Sequence, residues 1–162
     1  MIRKIIFTVC VVYSLFLTEA VLFDLAGRWF LPNLLLLGII YFDLAFGLRY
    51  SLSAAVLAGV LQDSYGTGMF GWNIFTYVLC SLLTTGLKRY LHYVASRRSR
   101  LMLVFCVTSA QFFVYFCLQG IWGKVDVTES IKFIFLPEML TTLIVTSFVF
   151  NQLRKCVLKL FV

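Results

Sequence analysis

Residues 31–72 decide the fold: LPNLLLLGIIYFDLAFGLRYSLSAAVLAGVLQDSYGTGMFGW. Two apolar segments, 31–46 and 48–62, flank Gly47. Together they run about 32 residues, whereas one membrane crossing takes about 20, within a range of roughly 17–25. The stretch therefore predicts a tight helical hairpin rather than one kinked helix. Pro32 opens the first helix, where the N–H that proline lacks has no intrahelical partner anyway. Gly47 sits at the stop, a usual place for a left-handed cap residue.

The second helix carries Ser51, Ala55, Gly59 and Asp63 at strict i, i+4 spacing, which puts them on one stripe. Ala54 and Ala58 widen it. Small residues at this spacing let another backbone approach closely, which gives membrane helices packing energy without a hydrophobic drive. The reading predicts a central, buried helix over 48–62; the alternative is a chance clustering of small residues. Asp63 ends the stripe and leads into Ser64-Tyr65-Gly66-Thr67-Gly68-Met69-Phe70-Gly71. Gly66, Gly68 and Gly71 permit positive φ and a tight turn. No Lys or Arg lies near and no G-x-x-x-x-G-K-[ST] pattern is present, so a nucleotide loop is not supported. The expectation is a compact turn whose backbone N–H groups are accepted by Asp63, with Asn73 capping the next helix or joining the same polar network.

The rest of the chain has the same character. Of 162 residues, 62% are apolar and 13% charged, against about 45–50% and 25% in soluble domains. Mean hydropathy is +0.97. A water-soluble core of this size cannot hide so much apolar surface, and the composition excludes disorder. The expected fold is all-α: a polytopic integral membrane protein, a single domain over 1–162 with six transmembrane helices at about 5–23, 31–46, 48–62, 70–87, 101–122 and 133–153.

Cation positions test that count. With six spans and the N-terminus inside, the cytoplasmic side holds Arg3, Lys4, Arg49, Lys88, Arg89, Arg97, Arg98, Arg100, Arg154, Lys155 and Lys159. Only Arg28, Lys124 and Lys132 fall outside. This is the segregation that the positive-inside rule requires, with both termini cytoplasmic. The densest basic run, Lys88, Arg89, Arg97, Arg98 and Arg100, reads as a topology determinant at headgroup level; an anionic-lipid or cytoskeletal contact is the functional alternative. Arg3-Lys4, an apolar run and Thr18-Glu19-Ala20 loosely resemble a signal peptide, and the charge count does not distinguish cleavage from retention. The five cysteines form no C-x-x-C and read as buried thiols behaving as small hydrophobes.

Acids in apolar surroundings are the functional suspects: Glu19, Asp43, Asp63 and Glu138. Asp43 lies near the inner end of its span, within reach of Arg49 across the hairpin. Glu138 follows Pro137 in a first helical turn, where the helix dipole favours negative charge. Glu19 is the deepest. Structural pairing is the main reading, and a solute or proton pathway the alternative. No metal cluster, cofactor motif or Ser-His-Asp constellation is visible, the only histidine is His92 in the basic loop, and no enzyme activity is expected.

The central stretch resembles the family of rod shape-determining protein MreD. The features are Leu31-Pro32-Asn33 before a Leu run and Tyr41, Gly47-Leu48-Arg49, the small-residue helix ending in Leu61-Gln62-Asp63, then Gly66 and Gly71. Phe135-Leu136-Pro137-Glu138 before the last span looks similar too. Asp43 departs from the pattern, where an uncharged residue is expected. The resemblance implies a non-enzymatic scaffold in the bacterial inner membrane, within the elongation complex of lateral peptidoglycan synthesis. Its implied partners are an MreC-like protein and, indirectly, MreB-like, RodA-like and penicillin-binding protein 2-like proteins, with membrane lipids around it and no nucleic acid. It also implies a bundle like the S components of vitamin transporters. A substrate-binding S component is the alternative function, and a lipid-directed enzyme built on Asp43 and Arg49 is a third reading.

Overall fold

The computed structural model describes residues 2–26, 32–65, 71–90, 97–122 and 136–161. Among these residues six α-helices follow one another: α1 (Ile2–Ala26), α2 (Leu34–Phe46), α3 (Leu48–Tyr65), α4 (Trp72–Tyr90), α5 (Arg97–Trp122) and α6 (Leu136–Phe161). They run alternately up and down. Contacts near residues 19, 33, 62, 77, 111 and 138 mark one end of the bundle, here the Asn33 end. Contacts near residues 7, 46, 88, 100 and 150 mark the other, the Gly47 end.

Short α2 is the axis. It has no polar face: LLLLGIIYFDLAF carries a single charge. A helix apolar all round belongs in an interior, and every residue from Leu34 to Asp43 is buried. It touches each of the other five helices. Against α1, Leu15 fills the space at Gly38, where a Cβ would lie 2.6 Å from Leu15 Cδ1. At the Gly47 end Phe7, Phe42 and Phe46 form an aromatic cluster with centroids 6.0–6.3 Å apart, and Lys4 Nζ lies 5.4 Å from the Phe46 centroid.

Sequence reasoning expected α3 to be the central helix; the structure gives that place to α2. The small residues of α3 form a single buried face of Ser51, Ala54, Ala55, Ala58, Gly59 and Asp63, while Val56 and Val60 point outward. A stripe of small residues lets a helix approach its neighbours closely on one side. It takes large apolar residues on every side, as in α2, to fill an interior.

The outer surface is oily. Val21 and Leu25 on α1, Met102 and Phe113 on α5, and Ile144 and Phe148 on α6 are exposed, whereas Thr8, Ser51, Ser81, Thr84, Thr142 and Thr146 are buried. Apolar residues outside and hydroxyls inside is the arrangement for hydrocarbon surroundings, where side-chain hydroxyls find partners in their own or a neighbouring helix. Among the described residues, two helices are long and apolar enough to cross a membrane, Arg3–Leu25 and Arg98–Cys117; Leu34–Phe46 is a shorter apolar helix. The other helices carry more small and polar residues, so apolar length alone does not single them out.

Candidate functional site

The most connected polar group in the bundle is Asn33, the N-cap of α2. The first N–H groups of a helix have no intrahelical partner, and in hydrocarbon each unsatisfied one is costly. Here all have partners. Asn33 N–H donates to Thr142 Oγ1 on α6 at 3.1 Å. Leu34 N–H donates to Pro32 O at 2.9 Å. Leu35 N–H donates to Glu19 Oε2 on α1 at 3.3 Å, and Leu36 N–H donates to Asn33 Oδ1 at 2.9 Å.

The cap also ties the remaining helices together. Asn33 Nδ2 donates to Gln111 Oε1 on α5 and to Glu138 Oε1 on α6, both at 3.2 Å. Tyr77 Oη on α4 donates to Asn33 Oδ1 at 3.5 Å. Gln62 on α3 hydrogen-bonds Glu19. One buried knot thus draws on all six helices. Two acids, Glu19 and Glu138, converge on the N-terminus of α2, one on the Leu35 N–H and the other on the cap side chain. Pro32 lies just outside the helix rather than at its first position, because α2 begins after the Asn33 cap.

A second carboxylate cap closes the α3–α4 turn. Asp63 Oδ2 accepts from Gly71 N–H at 2.8 Å and Ile74 N–H at 3.4 Å. Its Oδ1 accepts from Asn73 N–H at 3.1 Å and Asn73 Nδ2 at 2.9 Å. Gly71, at φ +105°, turns the chain into α4; Gly66 lies outside the described residues. Gly59 brings the two backbones together just below this cap: a Cβ there would run into Ile74 Cα. Ser51 Oγ donates to Ile39 O at 3.1 Å and shares a 2.8 Å hydrogen bond with Ser81 Oγ, joining α2, α3 and α4 at mid-height. Ala55 lies fully buried on the same α3 face.

The Gly47 end is wired more sparsely. Asp43 is fully buried. Its Oδ1 accepts from Thr85 Oγ1 at 2.8 Å, and its main-chain O accepts from Lys88 Nζ at 2.8 Å. Its Oδ2 has no hydrogen-bond partner among the described residues. Arg49 is exposed and is not among the groups that bond Asp43, so the expected Asp43–Arg49 pair is not formed. The reason is geometric: Asp43 is turned toward α4, not across the short hairpin. Gly47, at φ 87° and ψ 177°, occupies a backbone region reserved for glycine rather than the left-handed helical one, and its N–H closes α2 onto Phe42 O and Asp43 O. Lys88 and Arg89 form the last turn of α4, while Arg97, Arg98 and Arg100 belong to the first turn of α5. The basic loop is therefore largely helix ends. Pro137 and Glu138 sit in the first turn of α6.

Sequence reasoning singled out the four acids but not Asn33, the cap that gathers the knot holding Glu138 and Glu19. Asn33 entered it only as part of a motif, and Tyr77, Gln111 and Thr142 not at all. The available signal was Gln111, an amide inside an otherwise apolar run, since such groups seek interhelical partners. Among the described residues Cys80 is buried and Cys10 and Cys117 are exposed, all free thiols, and no group of three or more potential metal ligands is gathered.

Fold and site together define a helical membrane protein whose polar groups are used to fasten its own helices. The family model for rod shape-determining protein MreD matches residues 1–159, and the chain belongs to that family. It is a family of membrane proteins with a structural role in rod-shape determination and no known enzymatic activity. No curated protein and no solved structure matches the chain.

Proposed function

We propose that this protein is a non-enzymatic scaffold of the bacterial cell-elongation complex. It binds an MreC-like partner and, through it, supports lateral peptidoglycan synthesis by MreB-like, RodA-like and penicillin-binding protein 2-like proteins. The reading places it in the inner membrane as a single domain of six crossings with both termini cytoplasmic. The observation that carries it is the family match along nearly the whole chain. The geometry is in keeping with it. At the Asn33 end the buried polar groups satisfy one another and the first turns of α2 and α4, as a rigid platform needs. The topology is supported by the cations, since Lys4, Lys88, Arg89 and Arg100 all fall at the Gly47 end.

Depleting the protein in its host is expected to turn rods into spheres, and an MreC-like protein is expected to co-purify from native membranes after crosslinking. Rods that persist on depletion, with no such partner captured, would refute the scaffold. Thiol labelling at residues 91–96 from the cytoplasmic side tests the topology.

A further inference from the structure

The described cations at the Gly47 end fall into two sets. Lys4, Lys88 and Arg100 turn inward: Lys4 Nζ lies 5.4 Å from the Phe46 centroid, Lys88 Nζ donates to Asp43 O, and the Arg100 guanidinium carbon lies 5.9 Å from the Phe150 centroid. Arg3, Arg49, Arg89, Arg98 and Lys155 are instead exposed. Among the described residues the only acid at this end is Asp43, which is fully buried and bonded to Thr85. The outward surface of this end is therefore of one sign.

The exposed cations are spread one to a helix. Arg3 is on α1, Arg49 on α3, Arg89 on α4, Arg98 on α5 and Lys155 on α6, and the axis α2 carries none. The five outer helices follow one another by contact, α1 to α3, α3 to α4, α4 to α5 and α5 to α6. Arg3, Arg49, Arg89 and Arg98 lie in the first or last turn of their helices. Lys155 lies about 7.5 Å beyond Phe150 and Arg98 about 3 Å beyond Arg100, at 1.5 Å per residue, so the two fall within a turn of each other. The cations thus ring the bundle at one level.

Holding one side of a membrane protein in place needs only enough cations on that side, which a single basic loop would supply. A ring does more, because it faces whatever surrounds the bundle. The outward faces of these helices are oily, so their surroundings are hydrocarbon along their length and headgroups at their ends. Four of the five cations are arginine, whose planar fork matches phosphate oxygens. Cations at this level attract lipids of net negative charge. An acidic protein seated on the end of the bundle would instead be met by cations gathered on that end face.

We propose that Arg3, Arg49, Arg89, Arg98 and Lys155 form a cationic collar that enriches anionic phospholipid in the lipid shell around the protein. The inference holds whichever end faces the cytoplasm, so it stands or falls apart from the scaffold reading. The test places the full chain in vesicles of phosphatidylcholine with a minority of phosphatidylglycerol. Small polymer-bounded discs are then cut from them and their lipids counted by mass spectrometry. In about 0.05 M NaCl the wild-type discs are expected to hold phosphatidylglycerol at least about twofold above the vesicle average, and in about 0.5 M NaCl most of that excess should be gone, because exposed charges are screened. Arg3→Gln, Arg49→Gln, Arg89→Gln, Arg98→Gln and Lys155→Gln should each lower the excess by about a fifth, and all five together should abolish it. Lys88→Gln, which removes a charge turned in beside Asp43, should lower it by less. No excess in the wild type at low salt overturns the proposal, as does an excess that survives high salt. A single variant that removes more than half of it would mark one pocket rather than a collar and also overturns the proposal. So does a loss in Lys88→Gln as large as in the other five, which would mark net charge alone. Displacement of the excess lipid by polyglutamate would assign the ring to an acidic protein and overturns the lipid reading. Where a variant does not fold or inserts inverted, the wild-type salt series decides the matter.

Discussion

The two ends of the bundle handle buried polarity in opposite ways. At the Asn33 end, two carboxylates, three amides, a phenol and a threonine share one knot, and each free N–H of α2 finds an acceptor. At the Gly47 end, Asp43 is buried just as deeply, but half its carboxylate is unanswered among the described residues and aromatic packing does most of the joining. Burial therefore does not measure how much a polar residue contributes. What matters is how many partners lose their only alternative to water when it is removed. This contrast ranks the substitutions below.

Gly59→Leu is expected to have the largest effect, because it attacks the seam that aligns α3 and α4 beneath the Asp63 cap. Backbone atoms of Ile74 occupy the space a side chain would need, and a backbone cannot rotate away as a flexible side chain can. Folded, monodisperse protein in detergent should fall by tenfold or more on size-exclusion chromatography. A normal yield would mean that the α3–α4 contact is looser than described.

Asn33→Leu breaks the better-satisfied end. It unseats the α2 cap and strips hydrogen bonds from Gln111, Glu138, Tyr77 and Leu36 N–H. Hydrogen bonds in membrane proteins average about 0.6 kcal/mol, with a maximum near 1.7, so four lost together imply roughly 2–5 kcal/mol. Unfolding in a mixed-micelle titration should register it. Asp63→Ala removes a cap of four hydrogen bonds to one segment and is expected to cost about 2–3 kcal/mol on the same scale.

Gly47→Ala separates conformation from packing at the other end. A Cβ there meets nothing within 4 Å, so the whole effect comes from holding a non-glycine residue at φ 87°, about 1–3 kcal/mol. A loss of stability without a change in partner capture would confirm that only the hairpin corner is affected.

Much of this organisation was legible in the sequence. Gly47 with flanking apolar segments forecast the hairpin, and the 51–55–59–63 spacing forecast one face of α3. Asp63 followed by glycines forecast a turn closed by its carboxylate. These features are local, set by helical periodicity and by what a glycine permits. The identity of the axis was not legible, because centrality depends on how five other helices arrange themselves around α2. The Asn33 knot was hidden for the same reason: its members lie 16 to 109 residues apart in sequence, and nothing local marks an asparagine as the shared partner of a glutamine and a glutamate on other helices. Asp43 misled in the other direction. Arg49 is near it in sequence, and nearness along the chain is a poor guide to which helix a side chain faces.

Asp43→Asn is expected to have the smallest effect, and it tests the contrast most sharply. Asparagine keeps an acceptor for Thr85 Oγ1, and the main-chain oxygen that takes Lys88 Nζ is unchanged. What is lost is a charge on an atom that no described residue bonds, and removing an unanswered buried charge is often neutral or favourable. The variant should stay within about 1 kcal/mol of the wild type, with a shift toward greater stability as the favoured direction. Glu138→Leu at the opposite end would in contrast leave Asn33 Nδ2 without one of its acceptors, and should destabilise by about 1 kcal/mol. If Asp43→Asn proved the more damaging of the two, the carboxylate would have a charged partner in the working assembly, and the Gly47 end would be the one completed by another molecule.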